Sequence, residues 1–234
     1  MSKTRVLEAV RQLDLKTTRA LLTANPGLRE VTDRKGRNLL HLACSASWSD
    51  LNVPESAPVH MIKFLLDQGI DIESTAPDPT CEGMPPVFFA VARARNPTLV
   101  KLLLKRGAKP TGLFAAGWYE DIPMLDLLIK AGATIDEVVG VTPFLACWCW
   151  RKFGAAKFLA KKGANVDYQD PKNGKTALHY GLEKDFDPEL LGWLVTHGAS
   201  ADVADHSGNT ARQLASRKRD ERYAAAFQTK IGRP

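Results

Sequence analysis

Several things are scarce in this 234-residue sequence, and each absence closes off a class of protein. Apolar runs are short, as at Leu102-Leu103-Leu104 and Leu127-Leu128-Ile129, far below the roughly 20 residues of a membrane-spanning helix. Four cysteines, at positions 44, 81, 147 and 149, are too few for a disulfide framework in a chain of this length. The opening Met1-Ser2-Lys3-Thr4-Arg5 leads into Glu8, Arg11 and Asp14 rather than into the apolar segment of a secretory signal. No Asn-x-Ser/Thr acceptor free of proline occurs. Together these place the chain in the cytoplasm, as an expectation.

Catalytic signatures are missing as well. The sequence has no Gly-x-Ser-x-Gly elbow, no phosphate loop and no Gly-x-Gly-x-x-Gly turn. Its serines, cysteines, histidines and acids do not gather into a nucleophile, base and orienting group. The expectation is a non-catalytic protein without cofactor or small-molecule substrate.

What is present is a repeat. One pattern recurs five times: an apolar residue, a gap, three mostly apolar residues, two further positions and Gly. It reads Ile62, Phe64-Leu65-Leu66, Gly69; then Val100, Leu102-Leu103-Leu104, Gly107; then Leu125, Leu127-Leu128-Ile129, Gly132. Ala156, Phe158-Leu159-Ala160, Gly163 and Leu191, Trp193-Leu194-Val195, Gly198 complete the series. The apolar positions fall on one face of a helix, and Gly ends that helix in the left-handed conformation. Upstream of each copy stands a second signature, most complete in Gly140-Val141-Thr142-Pro143 and in Gly174-Lys175-Thr176-Ala177-Leu178-His179. Gly makes a turn, Thr caps, and Pro suits the first helical turn.

Two signatures recurring in phase about every 33 residues resemble the ankyrin repeat. The resemblance covers nearly the whole chain and implies an all-α solenoid of stacked helix-turn-helix units. We read a single domain over 1–234, with a capping unit at 1–32, five irregular repeats at 33–199 and a second cap at 200–234. In the first cap Asn25 stands where Gly would sit and is expected to take the left-handed turn. The array is uneven, the terminal glycines being spaced 38, 25, 31 and 35 residues apart. A gap is expected in the row of extended fingers after Gly107-Ala108, an exposed loop at 48–57, and a semi-rigid, proline-bearing finger at 75–82.

Cys147-Trp148-Cys149-Trp150 does not read as a metal site. Two residues apart on a helix, the cysteines diverge by about 200°. In the repeat register Cys147 and Trp148 take packed positions, and Cys149 and Trp150 face outward. His41 and His179 occupy the His of the second signature, whose role, as the resemblance implies, is to hydrogen-bond backbone between units.

The resemblance also implies a protein–protein interaction module that holds a partner protein in a concave groove. The register places Phe89 and Arg93, Trp118 and Tyr119, Cys149 and Trp150, and Tyr180 and Lys184 on that face, an aromatic strip with basic edges. Two alternatives are kept. The net charge of +6, with its dense run Arg217-Lys218-Arg219, would suit an adaptor for an anionic nucleic acid or membrane surface; and the chain could serve as the regulatory subunit of an enzyme.

Overall fold

The computed structural model describes residues 2–76 and 83–228. Its helices are α1 (Ser2–Arg11), α2 (Leu15–Ala24), α3 (Leu39–Ser45), α4 (Ala57–Asp67), α5 (Pro86–Phe89), α6 (Pro97–Lys105), α7 (Leu113–Trp118), α8 (Ile122–Lys130), α9 (Pro143–Cys149), α10 (Phe153–Lys161), α11 (Ala177–Glu183), α12 (Pro188–Thr196), α13 (Ala211–Ser216) and α14 (Arg222–Ala226). A wider π turn, Ala90–Ala94, prolongs α5. Among the described residues there is no strand, only single bridging pairs at Ala76 and Met84, Val139 and Val141, and Ala204 and Thr210. The described fold is all-α, as the repeat pattern predicts.

The polypeptide groups into two compact units. One holds residues 1–116 and 126–133, the other 117–125 and 134–234. Within the first, α1 packs on α3 and α3 on α5, with α2, α4 and α6 forming an outer row. Within the second, α9 packs on α11 and α11 on α13.

Local chemistry sets these boundaries. Asn38 accepts the His41 amide at 3.0 Å while His41 Nδ1 accepts the Asn38 amide at 3.2 Å, so the helix start is satisfied reciprocally. Thr176 with His179 and Thr210 with Gln213 repeat that box. At the other end, Gly107 and Gly198 have φ of +95° and +102°, where a Cβ would be strained. Asn25 departs from expectation: its φ is −143°, and its side chain accepts the Gly27 amide at 3.2 Å, starting a short 3-10 turn instead of ending α2 left-handed. Asn gains more here as a cap for that turn than as a substitute for Gly.

The loop between α3 and α4 is exposed at Asp50 and Glu55, as expected. Residues 106–112 join α6 to α7 and residues 131–142 join α8 to α9, so the connection after Gly107-Ala108 is the shorter one. The prolines of the finger at 75–82 lie outside the described residues. In the first unit the core holds Leu40, Met61, Ile62, Leu65, Leu103 and Leu128, all fully buried; in the second it holds Leu125, Phe144, Trp148, Leu159, Leu178 and Leu191. Each such side chain contributes about 1.5–3 kcal/mol on burial.

Candidate functional site

The finger turns fix the helices that succeed them. Three of these turns are each tied by an aspartate that the repeat pattern did not flag. Asp33 Oδ1 accepts the amides of Lys35 and Arg37 at 2.9 and 3.0 Å, and Asp170 Oδ1 accepts that of Lys172 at 2.9 Å. Asp205 Oδ1 does the same for Ser207 and Asn209, at 2.9 and 3.0 Å. Burial alone would raise the Asp33 carboxyl, but bonds from the Arg37 side chain and the backbone more than reverse it. Asp33, Asp170 and Asp205 all titrate below the ordinary carboxylate value. Sequence reasoning could have found them: an Asp a few residues ahead of a turn Gly is the sign of an Asx turn.

From these fingers the histidines reach across. His41 Nε2 lies 3.2 Å from the Met84 carbonyl oxygen, and His179 Nε2 lies 3.0 Å from that of Asn209. Both histidines are fully buried, and each joins its helix start to the next finger. Burial lowers the His41 pKa.

In the second unit the ends of α7 and α9 carry the exposed rings. Trp118, Tyr119 and Trp150 are 49%, 45% and 40% exposed. The rings of Trp118 and Trp150 meet edge to face, with centroids 5.1 Å apart and planes 82° apart. The Lys152 ammonium lies 5.6 Å from the Trp118 centroid, a contact with no signal in the repeat register. Lys184 is exposed at the end of α11, and its carbonyl accepts Arg151 Nη2 at 2.9 Å.

Other residues expected on this face are placed differently. Phe89, in the first unit, is 1% exposed and stands edge-on to His41, with centroids 5.3 Å apart. The reason is register: the position after the signature His also holds Leu42 and Ala146, both buried. Tyr180 occupies the same position and is half-buried. Its hydroxyl donates to Asp170 Oδ2 at 2.6 Å and accepts from Asn173 Nδ2 at 3.0 Å, and burial pushes its pKa up to about 12. Tyr180 is a strut between α11 and its finger. Arg93, also in the first unit, is exposed in the π turn.

Cys149 is half-buried, and burial pushes its thiol up to about 11; Cys147, fully buried, is pushed up to about 12. Neither thiol is poised as a nucleophile. Among the described residues no cluster of three or more His, Cys, Asp or Glu side chains could hold a metal ion.

The basic run near the end is engaged internally. Lys218 pairs with Asp185 at 2.6 Å, and Arg217 donates to Asn209 Oδ1 at 3.3 Å. Nearby, Arg212 grips Asp202 at 2.7 and 2.9 Å and the Phe227 carbonyl at 2.8 Å.

Two family profiles, both described as ankyrin repeats, match residues 6–112 and 145–195, more than half of the sequence between them. The chain belongs to the ankyrin-repeat family. This ankyrin array is 27% identical over 226 residues to a nuclear factor NF-kappa-B subunit of Gallus gallus, covering 90% of the array and 22% of that relative. It is 31% identical over 166 residues to a putative ankyrin repeat protein of Acanthamoeba polyphaga mimivirus, covering 63% of the array and 38% of that relative. The array thus spans well under half the length of either. Among solved structures, the ankyrin repeat domain of Bcl-3, an IkappaB-family member, superposes with a TM-score of 0.77 at 21% identity, covering 96% of this chain and 98% of that one. The human ASB11 ankyrin repeat domain gives 0.68 at 22% identity, covering 98% of each chain. Those two likenesses establish the shared fold. Ankyrin repeats are protein–protein interaction modules, generally non-catalytic, and this array is one. Among the described residues no helix is long and apolar enough to cross a membrane.

Proposed function

We propose that the second unit takes a partner protein on the face that carries Trp118, Tyr119 and Trp150, with Lys152 and Lys184 at its basic edge, and that it does so without catalysing a reaction. The observation that carries this reading is the exposed, edge-to-face pair of Trp118 and Trp150. Large rings held in fixed geometry at a surface bury much area at little entropic cost when a partner arrives, which is why Trp and Tyr dominate binding hot spots. Cys149 and Tyr180 border this face. The partner is another protein rather than a small molecule or nucleic acid, and the setting is the reducing cytoplasm, in keeping with the free thiols of Cys44, Cys147 and Cys149.

Affinity capture with the intact chain and with a Trp118→Ala/Trp150→Ala variant tests the site. Capture of the specific partner should fall at least tenfold, about 1.4 kcal/mol, while the melting temperature stays within a few degrees of wild type. Unchanged capture, or a collapse of stability in place of binding, would remove the rings from the interface.

A further inference from the structure

At the start of the first unit, α1 and the first finger enclose an open cavity of about 550 Å³. Its wall carries five cations, Lys3, Arg11, Arg34, Lys35 and Arg37, and one carboxylate, Asp33. That carboxylate is already committed. Its side chain is 5% exposed, and Oδ2 accepts Arg37 Nη2 at 2.8 Å, Arg37 Nε at 3.0 Å and Arg11 Nη2 at 3.2 Å. Glu8, outside the wall, reaches Arg11 only at 3.8 Å. The cavity therefore holds a surplus of positive charge around two guanidinium groups fixed in place by Asp33. Near the C-terminal cap Lys218, Arg212 and Arg222 each have a carboxylate of their own, whereas Arg11 and Arg37 share Asp33.

We propose that this cavity binds a phosphoryl group carried on a partner polypeptide. A phosphoryl group brings up to two negative charges and three acceptor oxygens, which match several guanidinium and ammonium donors at once. Because Asp33 already holds Arg11 and Arg37, little side-chain freedom is lost when they receive the anion. Arg34 and Lys35 project from the finger turn and Lys3 from the first turn of α1, so the charges converge from two elements. The shape favours a peptide over a membrane: the cations ring a hollow, and the one apolar residue of the wall, Leu7, is buried rather than free to enter acyl chains. A nucleic acid would call for a stripe of cations following its backbone.

Fluorescence anisotropy on the full chain, with a short labelled Gly/Ser peptide carrying one phosphoserine and with its unphosphorylated twin, tests the proposal. The phosphopeptide should bind at least tenfold more tightly than the twin, and added salt should narrow the gap. A Lys3→Gln/Arg34→Gln variant should abolish the difference, and an Arg217→Gln/Arg219→Gln variant should keep it. Both Lys3 and Arg34 are exposed, and the single Arg34→Gln change serves the same test should the double variant melt early. Equal binding of the two peptides, or equal loss in the two variants, would overturn the site. So would phosphatidylserine vesicles that sediment the chain and are not competed by the phosphopeptide, an outcome that makes the surface a membrane contact.

Discussion

A methyl group added to Gly117 would stand 2.4 Å from Cys147 Sγ, and one added to Gly181 would stand 2.4 Å from Leu191 Cδ2 and 3.5 Å from Trp148 Nε1. Gly117 and Trp148 fall at the same register position of successive repeats, and so do Cys147 and Gly181. Where Gly117 offers only a hydrogen, Cys147 of the next repeat carries its sulfur; at Gly181 the close contact is with Leu191 of its own repeat, and Trp148 Nε1 stands at ordinary contact distance. The indole is then fully buried, donates to the Ala177 carbonyl at 2.8 Å and packs against Phe144, Phe153 and Phe186. Gly117→Ala should destabilise by about 1–3 kcal/mol, as overpacking does, and adding Cys147→Ala should recover part of that loss. Chemical denaturation of the four chains of this cycle measures the coupling; strict additivity would mean that the seam yields without strain. The repeat register marks 147 and 148 as packed positions suited to small residues, and both side chains are fully buried. It does not show which glycine makes room for which side chain, because that depends on facing repeats and not on neighbours in the chain.

Helices were the most legible elements, because an apolar stripe ending in Gly records both the buried face and the stop. Leu128 and Leu159 lie on that stripe and are fully buried. Truncating either to Ala should cost about 2–5 kcal/mol, whereas Asp50→Ala or Glu55→Ala, in the exposed loop, should stay within about 0.5 kcal/mol. Thermal or denaturant unfolding checks both, and a loss below about 1 kcal/mol at Leu128 or Leu159 would put the register in error. Less legible were the turns that join the two helices of a repeat. Glu120, Arg151 and Asp185 take φ of 52°, 61° and 50° there, and none is the Gly that such a turn advertises. Each instead uses its side chain on the next repeat: Glu120 Oε1 accepts the Gly154 amide at 2.9 Å, Arg151 donates to the Lys184 carbonyl at 2.9 Å, and Asp185 pairs with Lys218. A residue that accepts a strained backbone in exchange for a contact elsewhere leaves no local sign. The candidate face was readable only in part for the same reason. Trp118, Tyr119 and Trp150 come at helix ends, where the register points outward, while Phe89 and Tyr180 sit one step after the signature His, at the position that buries Leu42 and Ala146.

Across the whole molecule, the ionisable groups of the fingers and helix starts give stability a direction in pH. His41 has its pKa lowered by burial, so the native state resists protonation and the unfolded chain does not. Its contribution is complete above the unfolded value of about 6.5 and is lost as pH falls through the lowered native one. Asp33, Asp170 and Asp205 follow the same sign further down, stabilising above about pH 3.9 and losing that contribution as acid protonates them. Melting temperature should therefore decline in two stages on acidification, with Asp33→Asn reducing the lower one; a profile level from pH 7 to pH 3 would contradict both. The close fit of Gly117 against Cys147 Sγ ties neighbouring repeats of the second unit to their order in the array: a repeat moved in front of Cys147 must itself bring a residue without bulk to the place of Gly117.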